Sequence, residues 1–530
     1  MSGIRYTDST KQSADTAEIR QTEHPAESKR INTTPEKKRP YPVFTKEDWG
    51  WSLAFLLSMA LVGLQIFPMI FMALFIMINR MMNNRHEFII QLTIFFGGYA
   101  LTDADTMHFK ADDIALVLSF IFYFIFRKPP VVIRTFHLYL TFLIGLLVLA
   151  SFSEESFSVQ LYSFRYYIYF IYFMIPVTIF IGHDFNINEF FRKLLVYALV
   201  LCSFYAIDAF ILSGNFLIPR SFTFIGIDSK LWDPFIKPFS FIFFRKNPPG
   251  LYILLLCVYP ITRVYRLKTI HWLIFAIGII STKTFTLITG LILLYILLQG
   301  SFLRVLKLSG IMVSLFVLTY VVDGFLPVNT INRESTFRIK SSIDQIIELT
   351  RSVDIESISK FGSGRAAQII PKFEFLYQQH KEWTGLGFLH PDRTKNTKYM
   401  IHNDLYENVA LSDELATGVE NAQAQTILTI GYIGFIFQLL FYLSLWYIIR
   451  RRKYATYYLS TLLGVYWLGM AGLCHIQSPQ GLGILALAYA AVIMSGDMDE
   501  DNRQKQKHKA KTELDKHNFL QNPSGHKCLN

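Results

Sequence analysis

The residues best suited to chemistry sit in polar stretches that interrupt an otherwise apolar chain. Arg220 and Arg245 lie in a polar segment at 214–248, together with Lys230, Lys237 and Lys246. Arg165 and Lys283 stand at the edges of apolar runs. Ionisable groups at a membrane boundary are costly, and that cost marks them as functional candidates. Snorkelling to the interface is the plainer alternative for both. A longer polar stretch, Leu326 to Gln425, holds Ser363-Gly364-Arg365, Gly385-Leu386-Gly387, His402-Asn403 and Glu420-Asn421. The apolar run behind it carries Gly431-Tyr432-Ile433-Gly434. An Arg guanidinium is a planar fork that can donate two hydrogen bonds to a phosphate. A carboxylate such as Glu420, or the imidazole of His402, can take a proton from a hydroxyl. Asp404 and Glu407 compete for that role, and His402 also reads as an ordinary surface residue.

Long apolar segments must position these groups. The chain is 52% hydrophobic and 16% aromatic, and only 17% of its 530 residues are charged. Its repeated apolar runs are of roughly the 20 residues that cross a hydrocarbon core. The fold class expected is an all-α polytopic membrane protein with about 12–14 transmembrane helices and a large, partly helical extracytoplasmic loop. The expected cores are 51–66, 68–80, 88–102, 112–126, 135–152, 165–182, 194–213, 249–262, 269–281, 284–299, 308–325, 427–449, 454–474 and 481–495. Residues 51–80 allow two readings, a helical hairpin or one long helix kinked at Pro68.

Charge selects one phase of the alternation. Arg80 and Arg85, Arg127 to Arg134, Arg192 and Lys193, Arg263 to Lys268, Arg304 and Lys307, and Arg450 to Lys453 fall on alternate connections. The intervening short connections are acidic, with Asp103, Asp105, Asp112, Asp113, Glu154 and Glu155. The positive-inside rule then puts both termini in the cytoplasm and the 214–248 and 326–426 loops outside. The expected organisation is a disordered cytoplasmic tail at 1–47, a transmembrane bundle at 48–325 with an outer loop at 214–248, an extracytoplasmic catalytic loop at 326–426, C-terminal transmembrane helices at 427–496 and a second disordered tail at 497–530. Residues 1–47 are polar and mixed in charge and carry no cleavable signal pattern. Within the large loop, one short amphipathic helix is expected around Ile343 to Leu349, and a second from Arg365 to about His380.

Other classes are disfavoured. The net charge of +11 gathers at helix ends and is not a nucleic-acid patch. The four cysteines form neither a metal-ligand spacing nor a disulfide framework. Asp103-Ala104-Asp105 has the form of a metal-binding acidic pair, but it reads as a charged loop that obeys the topology rule. No metal and no cofactor is expected.

The order Ser363-Gly364-Arg365, a helix, Gly385-Leu386-Gly387, Glu420-Asn421, then Gly431 and Gly434 resembles the core of the bacterial O-antigen polymerase/ligase superfamily. Ser281-Thr282-Lys283-Thr284 resembles that family's short Ser-x-Ser-Arg segment, with Lys283 where Arg is usual. Lys keeps the charge and loses the bidentate fork. Arg220 and Asn247-Pro248 resemble further family positions. Ligases of the group often carry His-Asn where this chain has Glu420-Asn421, which leans toward a polymerase. The resemblance covers residues 214–450 by motif and the remainder by hydropathy.

What the resemblance implies is a metal-independent membrane glycosyltransferase of the bacterial cytoplasmic (inner) membrane with an extracytoplasmic active face. It would move a growing glycan from undecaprenyl pyrophosphate to the next lipid-linked repeat unit, making O-antigen, capsule or exopolysaccharide. Arg365 and Glu420 would be catalytic, with Glu420 as base. Arg220, Arg245, Lys283 and Arg165 would neutralise the leaving pyrophosphate, and Asn421 and His402 would help bind pyrophosphate or glycan. The implied partners are an undecaprenyl-pyrophosphate-linked oligosaccharide, the lipid bilayer, a chain-length regulator and a flippase. The alternatives are a ligase with another acceptor, a flippase or other transporter, and an assembly subunit without activity. Aromatic residues of the outer loops, Trp232, Phe235, Phe239, Trp383, Phe388, Tyr399 and Tyr406, could stack on sugars or pack at the membrane interface.

Overall fold

The first helix begins at a reciprocal cap. The Thr45 hydroxyl accepts the Asp48 N–H at 3.1 Å, and the Asp48 carboxylate accepts the Thr45 N–H at 2.8 Å. This capping box satisfies two amides that would otherwise be orphaned, and α1 runs Lys46–Gly63 behind it. The computed structural model describes residues 39–63, 68–92, 133–151, 185–210, 258–281, 365–388, 421–470 and 481–495, with scattered residues between them.

Helix α2 spans Met69–Asn83 and packs along α1. Arg80, near the end of α2, reaches Glu47 in the first turn of α1 at 3.0 Å and lies 4.3 Å over the Trp51 ring. The end of one helix therefore meets the start of the other, so residues 51–80 form an antiparallel hairpin and not one kinked helix. Asn84 closes α2 through its N–H to the Arg80 carbonyl at 2.7 Å. Its side chain also accepts the Glu87 N–H, which caps α3, Arg85–Ile90.

The other described helices are α4 (Ile133–Ala150), α5 (Ile187–Phe210), α6 (Val258–Val264), α7 (Thr269–Ser281), α8 (Arg365–Gln378), α9 (Ala422–Ile449), α10 (Ala455–Met470) and α11 (Gly481–Ser495). Among the described residues there is no β-strand. Helix α5 is the hub and packs against α1, α3, α6 and α7. Its residues Leu194 to Cys202 are buried on every face, as expected of a helix apolar all round. Aromatic rings knit α4 to α9: Phe142 stacks on Phe441 at 4.7 Å, and Tyr139 lies 5.4 Å from the same ring.

Among the described residues, two helices are long and apolar enough to cross a membrane, over Ile187–Ile207 and Ala422–Ile449. At 1.5 Å per residue, the 28 residues of α9 would extend about 42 Å as an unbroken helix. Shorter apolar helices cover Phe71–Asn83, Leu138–Leu149, Thr269–Ile279 and Gly481–Ser495.

Several basic connections meet at one end of the bundle. The Arg266 N–H binds the Pro40 carbonyl at 2.9 Å, and the Arg192 guanidinium binds the Val43 carbonyl at 2.8 Å. Tyr265 and Tyr454 both reach Asn188, at 3.1 and 3.3 Å. Arg452 donates to the Ile493 carbonyl at 2.7 Å, which brings the end of α11 to the same place.

Candidate functional site

Among the described residues, Arg365, the Gly385-Leu386-Gly387 turn and Gly431 come together through α8 and α9. Helix α8 begins at Arg365 and ends at Gln378, close to the expected Arg365 to His380. Its apolar face carries Ile369, Phe373 and Leu376, which pack with Leu386, Ala424 and Leu428 in a small separate core. The helix closes in a Schellman motif: the Lys381 N–H reaches the Leu376 carbonyl at 3.1 Å and the His380 N–H reaches Tyr377 at 3.0 Å. His380 holds the left-handed position of that motif, with φ of 53°.

The chain then enters a break in α9. At Gly431 the backbone leaves the helix, with φ 67° and ψ −177°. In an unbroken helix the amides of Tyr432 and Ile433 would bind the carbonyls of Leu428 and Thr429. Here those partners are exchanged with the segment from Glu382 to Gly387. Tyr432 and Ile433 donate to the carbonyls of Glu382 and Trp383 at 2.9 and 3.2 Å. The carbonyls of Leu428 and Thr429 accept from Leu386 and Gly387 at 2.8 and 2.9 Å. All four backbone groups freed by the break are thus satisfied, the condition for a broken helix away from water.

Only glycine fits this crossing. A Cβ on Gly431 would lie 2.2 Å from the Trp383 carbonyl oxygen, and one on Gly385 would lie 2.5 Å from the Gly431 nitrogen. Both glycines have positive φ, 76° at Gly385 and 67° at Gly431. The Gly-x-Gly turn and the glycine-bearing helix, far apart in sequence, are therefore two halves of one backbone joint.

Aromatic side chains surround the joint. Tyr377 and Tyr432 share a hydrogen bond between their hydroxyls at 2.7 Å, and Trp383 meets Tyr432 edge-on at 5.9 Å. Phe388, the other aromatic of this segment, is fully buried against Phe164 and Tyr167 at 5.8 and 5.1 Å.

Asn421 caps α9. Its carboxamide oxygen accepts the Ala424 N–H at 2.9 Å, and its Nδ2 donates to the Met470 carbonyl at 2.9 Å, tying the start of α9 to the end of α10. Arg365 takes the first position of α8. Glu420, Arg165, Arg220, Arg245, Lys283 and His402 lie outside the described residues, as does the expected helix around Ile343, except for a helical Ile347. Among the described residues no group of three His, Cys, Asp or Glu side chains could hold a metal ion.

A second polar centre was not foreseen from the sequence. Asp48, Arg80, Glu87 and Lys193 are all buried where α1, α2, α3 and α5 meet. Lys193 pairs with Asp48 and, at 3.4 Å, with Glu87. Arg80 lies 3.6 Å from Glu87, and Arg192 binds Asp48 at 2.8 Å and Glu189 at 2.6 Å. Tyr197 donates to Glu87 at 3.1 Å and accepts from Gln91 at 2.7 Å. Burial raises the Asp48 carboxyl, but the Lys193 ammonium and the Thr45 bonds outweigh it and hold the group below its ordinary range. For Glu87 burial prevails over Lys193 and Arg80 and pushes the carboxyl above that range. The available signal was the acids Asp48 and Glu87 beside cations that otherwise read only as topology markers.

No family model matches the chain, and no curated protein sequence matches it.

Proposed function

We propose that this chain is a multi-pass membrane glycan polymerase of the bacterial cytoplasmic membrane. It transfers a growing glycan from undecaprenyl pyrophosphate to a sugar hydroxyl of the next lipid-linked repeat unit on the extracytoplasmic face. The end of the bundle where the basic connections meet faces the cytoplasm. The observation that carries the reading is the joint between Gly385–Gly387 and Gly431. The resemblance rested on motif elements at separate points of the sequence, and three of them, the helix opened by Arg365, the Gly-x-Gly turn and the paired-glycine helix, belong to one packed unit.

In this reaction the anomeric carbon loses its bond to the pyrophosphate oxygen and gains one to the acceptor hydroxyl oxygen. The hydroxyl proton passes to Glu420. Arg365, Arg220, Arg245, Lys283 and Arg165 supply positive charge for the departing pyrophosphate, so charge stabilisation needs no metal. Asn421 and His402 line the glycan or pyrophosphate.

The test is a gel profile of lipid-linked and surface glycan from a deletion strain that carries either the wild-type gene or Arg365→Ala. The wild type restores a ladder, whereas Arg365→Ala gives single repeats at an equal membrane level of protein. A normal ladder from Arg365→Ala removes Arg365 from catalysis. Polymer held on its lipid carrier in the deletion strain would make the protein a ligase, and repeats trapped on the inner leaflet would make it a flippase.

A further inference from the structure

We propose that Tyr377, Trp383 and Tyr432 form a carbohydrate-stacking platform that holds a pyranose ring beside the break in α9. The proposal rests on the polymerase reading only for the source of the sugar, the lipid-linked repeat unit.

The platform is open and pre-set. Trp383 is 57% exposed and Tyr377 50% exposed, although the Trp383 backbone is bonded to α9. The Trp383 carbonyl is fixed by the Ile433 amide at 3.2 Å, so its ring is presented from an anchored backbone. The shared Tyr377–Tyr432 hydrogen bond at 2.7 Å orients both phenols. Trp383 stands edge-on to Tyr432, with 67° between the ring planes. Rigid aromatic side chains with two torsions lose little entropy on binding, which suits them as anchors. Phe388, on the same segment, shows that an aromatic here can be packed away when only core packing is at stake.

The chemistry of the surface fits a sugar better than an acyl chain. A pyranose offers an apolar C–H face and a rim of hydroxyls. The aromatic faces meet the first, and the phenolic oxygens meet the second. A pyranose rim can exchange hydrogen bonds with the Tyr377 and Tyr432 hydroxyls, whereas a hydrocarbon tail cannot.

The test uses full-length protein in nanodiscs and saturation-transfer NMR. The probe is the free oligosaccharide repeat released by mild acid from the host's own lipid-linked glycan. Wild-type protein and Trp383→Phe should saturate the ring C–H protons of the probe. Trp383→Ala should lose about tenfold in apparent affinity, equivalent to about 1.4 kcal/mol. Its melting temperature should change little, because the hydrogen bonds to α9 are made by backbone and the ring, 57% exposed, meets α9 through one edge contact with Tyr432. No saturation with wild-type protein overturns the proposal, and so does equal affinity in Trp383→Ala. If Trp383→Ala binds sugar normally but escapes quenching by brominated lipid, the ring is a membrane-interface anchor and the platform is refuted. A deletion strain that keeps its ladder while the wild-type protein still binds the probe refutes the polymerase reading and leaves the carbohydrate site standing.

Discussion

Replacing Gly431 with alanine tests the backbone joint directly. The new Cβ would sit 2.2 Å from the Trp383 carbonyl oxygen, in a backbone region open essentially to glycine alone. Relief comes most cheaply if α9 straightens and expels the Glu382–Gly387 segment. Four crossing hydrogen bonds are then lost, and the helix regains two of its own. The net loss of two bonds costs about 2 kcal/mol, at about 1 kcal/mol each. Leu386, fully buried in the small core, loses about 2 kcal/mol of burial. The joint is therefore weakened by about 4 kcal/mol, or roughly a thousandfold in its opening equilibrium. Hydrogen exchange read by mass spectrometry should show this in the peptide from Lys381 to Phe388, where the amides of Leu386 and Gly387 lose protection by that factor. Gly385→Ala should act alike, and the double variant should be little worse than either, because both open the same joint. Gly50→Ala is the control: nothing lies within 4 Å of its Cβ, and a mid-helix Gly→Ala change adds about 0.5–1 kcal/mol. Unchanged exchange over Lys381–Phe388 in Gly431→Ala would refute the reasoning.

Two further predictions concern the other end of the bundle. Lys193→Met leaves Asp48 with Arg192 and Glu87 with Arg80 as their remaining cations and should cost up to about 3–5 kcal/mol, seen as a lower melting temperature in detergent. Adding Glu87→Gln should recover part of that loss, and a Lys193→Met protein that melts like the wild type would contradict the pairing. His86 stacks on Phe185 at 5.2 Å and accepts the Asn186 N–H through Nε2 at 3.1 Å, which requires the neutral ring. Burial holds its folded pKa below the ordinary value, with Lys193 adding to that and Glu189 opposing it. Its stability contribution is whole above about pH 6.5 and is lost as pH falls through the lower folded value. Melting temperatures from about pH 8 to pH 5 should therefore fall faster for wild type than for His86→Phe, and parallel curves would contradict the assignment.

Much of the helical frame was legible because apolar runs of that length leave few choices. Helix covers residues 269–281 and 481–495, where apolar cores were expected, and α8 ends within two residues of its expected end. The hairpin of α1 and α2 was left open, because Pro68 fits a kink or a turn equally well. Arg80 meeting Glu47 decides it, and such a contact has no periodicity to read. The paired glycines of α9 were visible, but the exchange of backbone partners at Gly431 was not, since hydrogen-bond partners depend on a distant segment. Trp383 and Phe388 looked equivalent as loop aromatics, yet only tertiary packing exposes the first and buries the second. Asn421 stood out as a motif residue, and its amide also serves as a helix cap, a role that any Asn before an apolar run can fill.

The most direct measurement is reconstitution. Purified protein in proteoliposomes would be supplied with lipid-linked repeat units labelled in the sugar, and products would be separated by length. The account predicts a ladder of lipid-linked oligomers from this protein alone, lost in Arg365→Ala and reduced in Trp383→Ala. Repeats that stay single, or that only change leaflet, would contradict it.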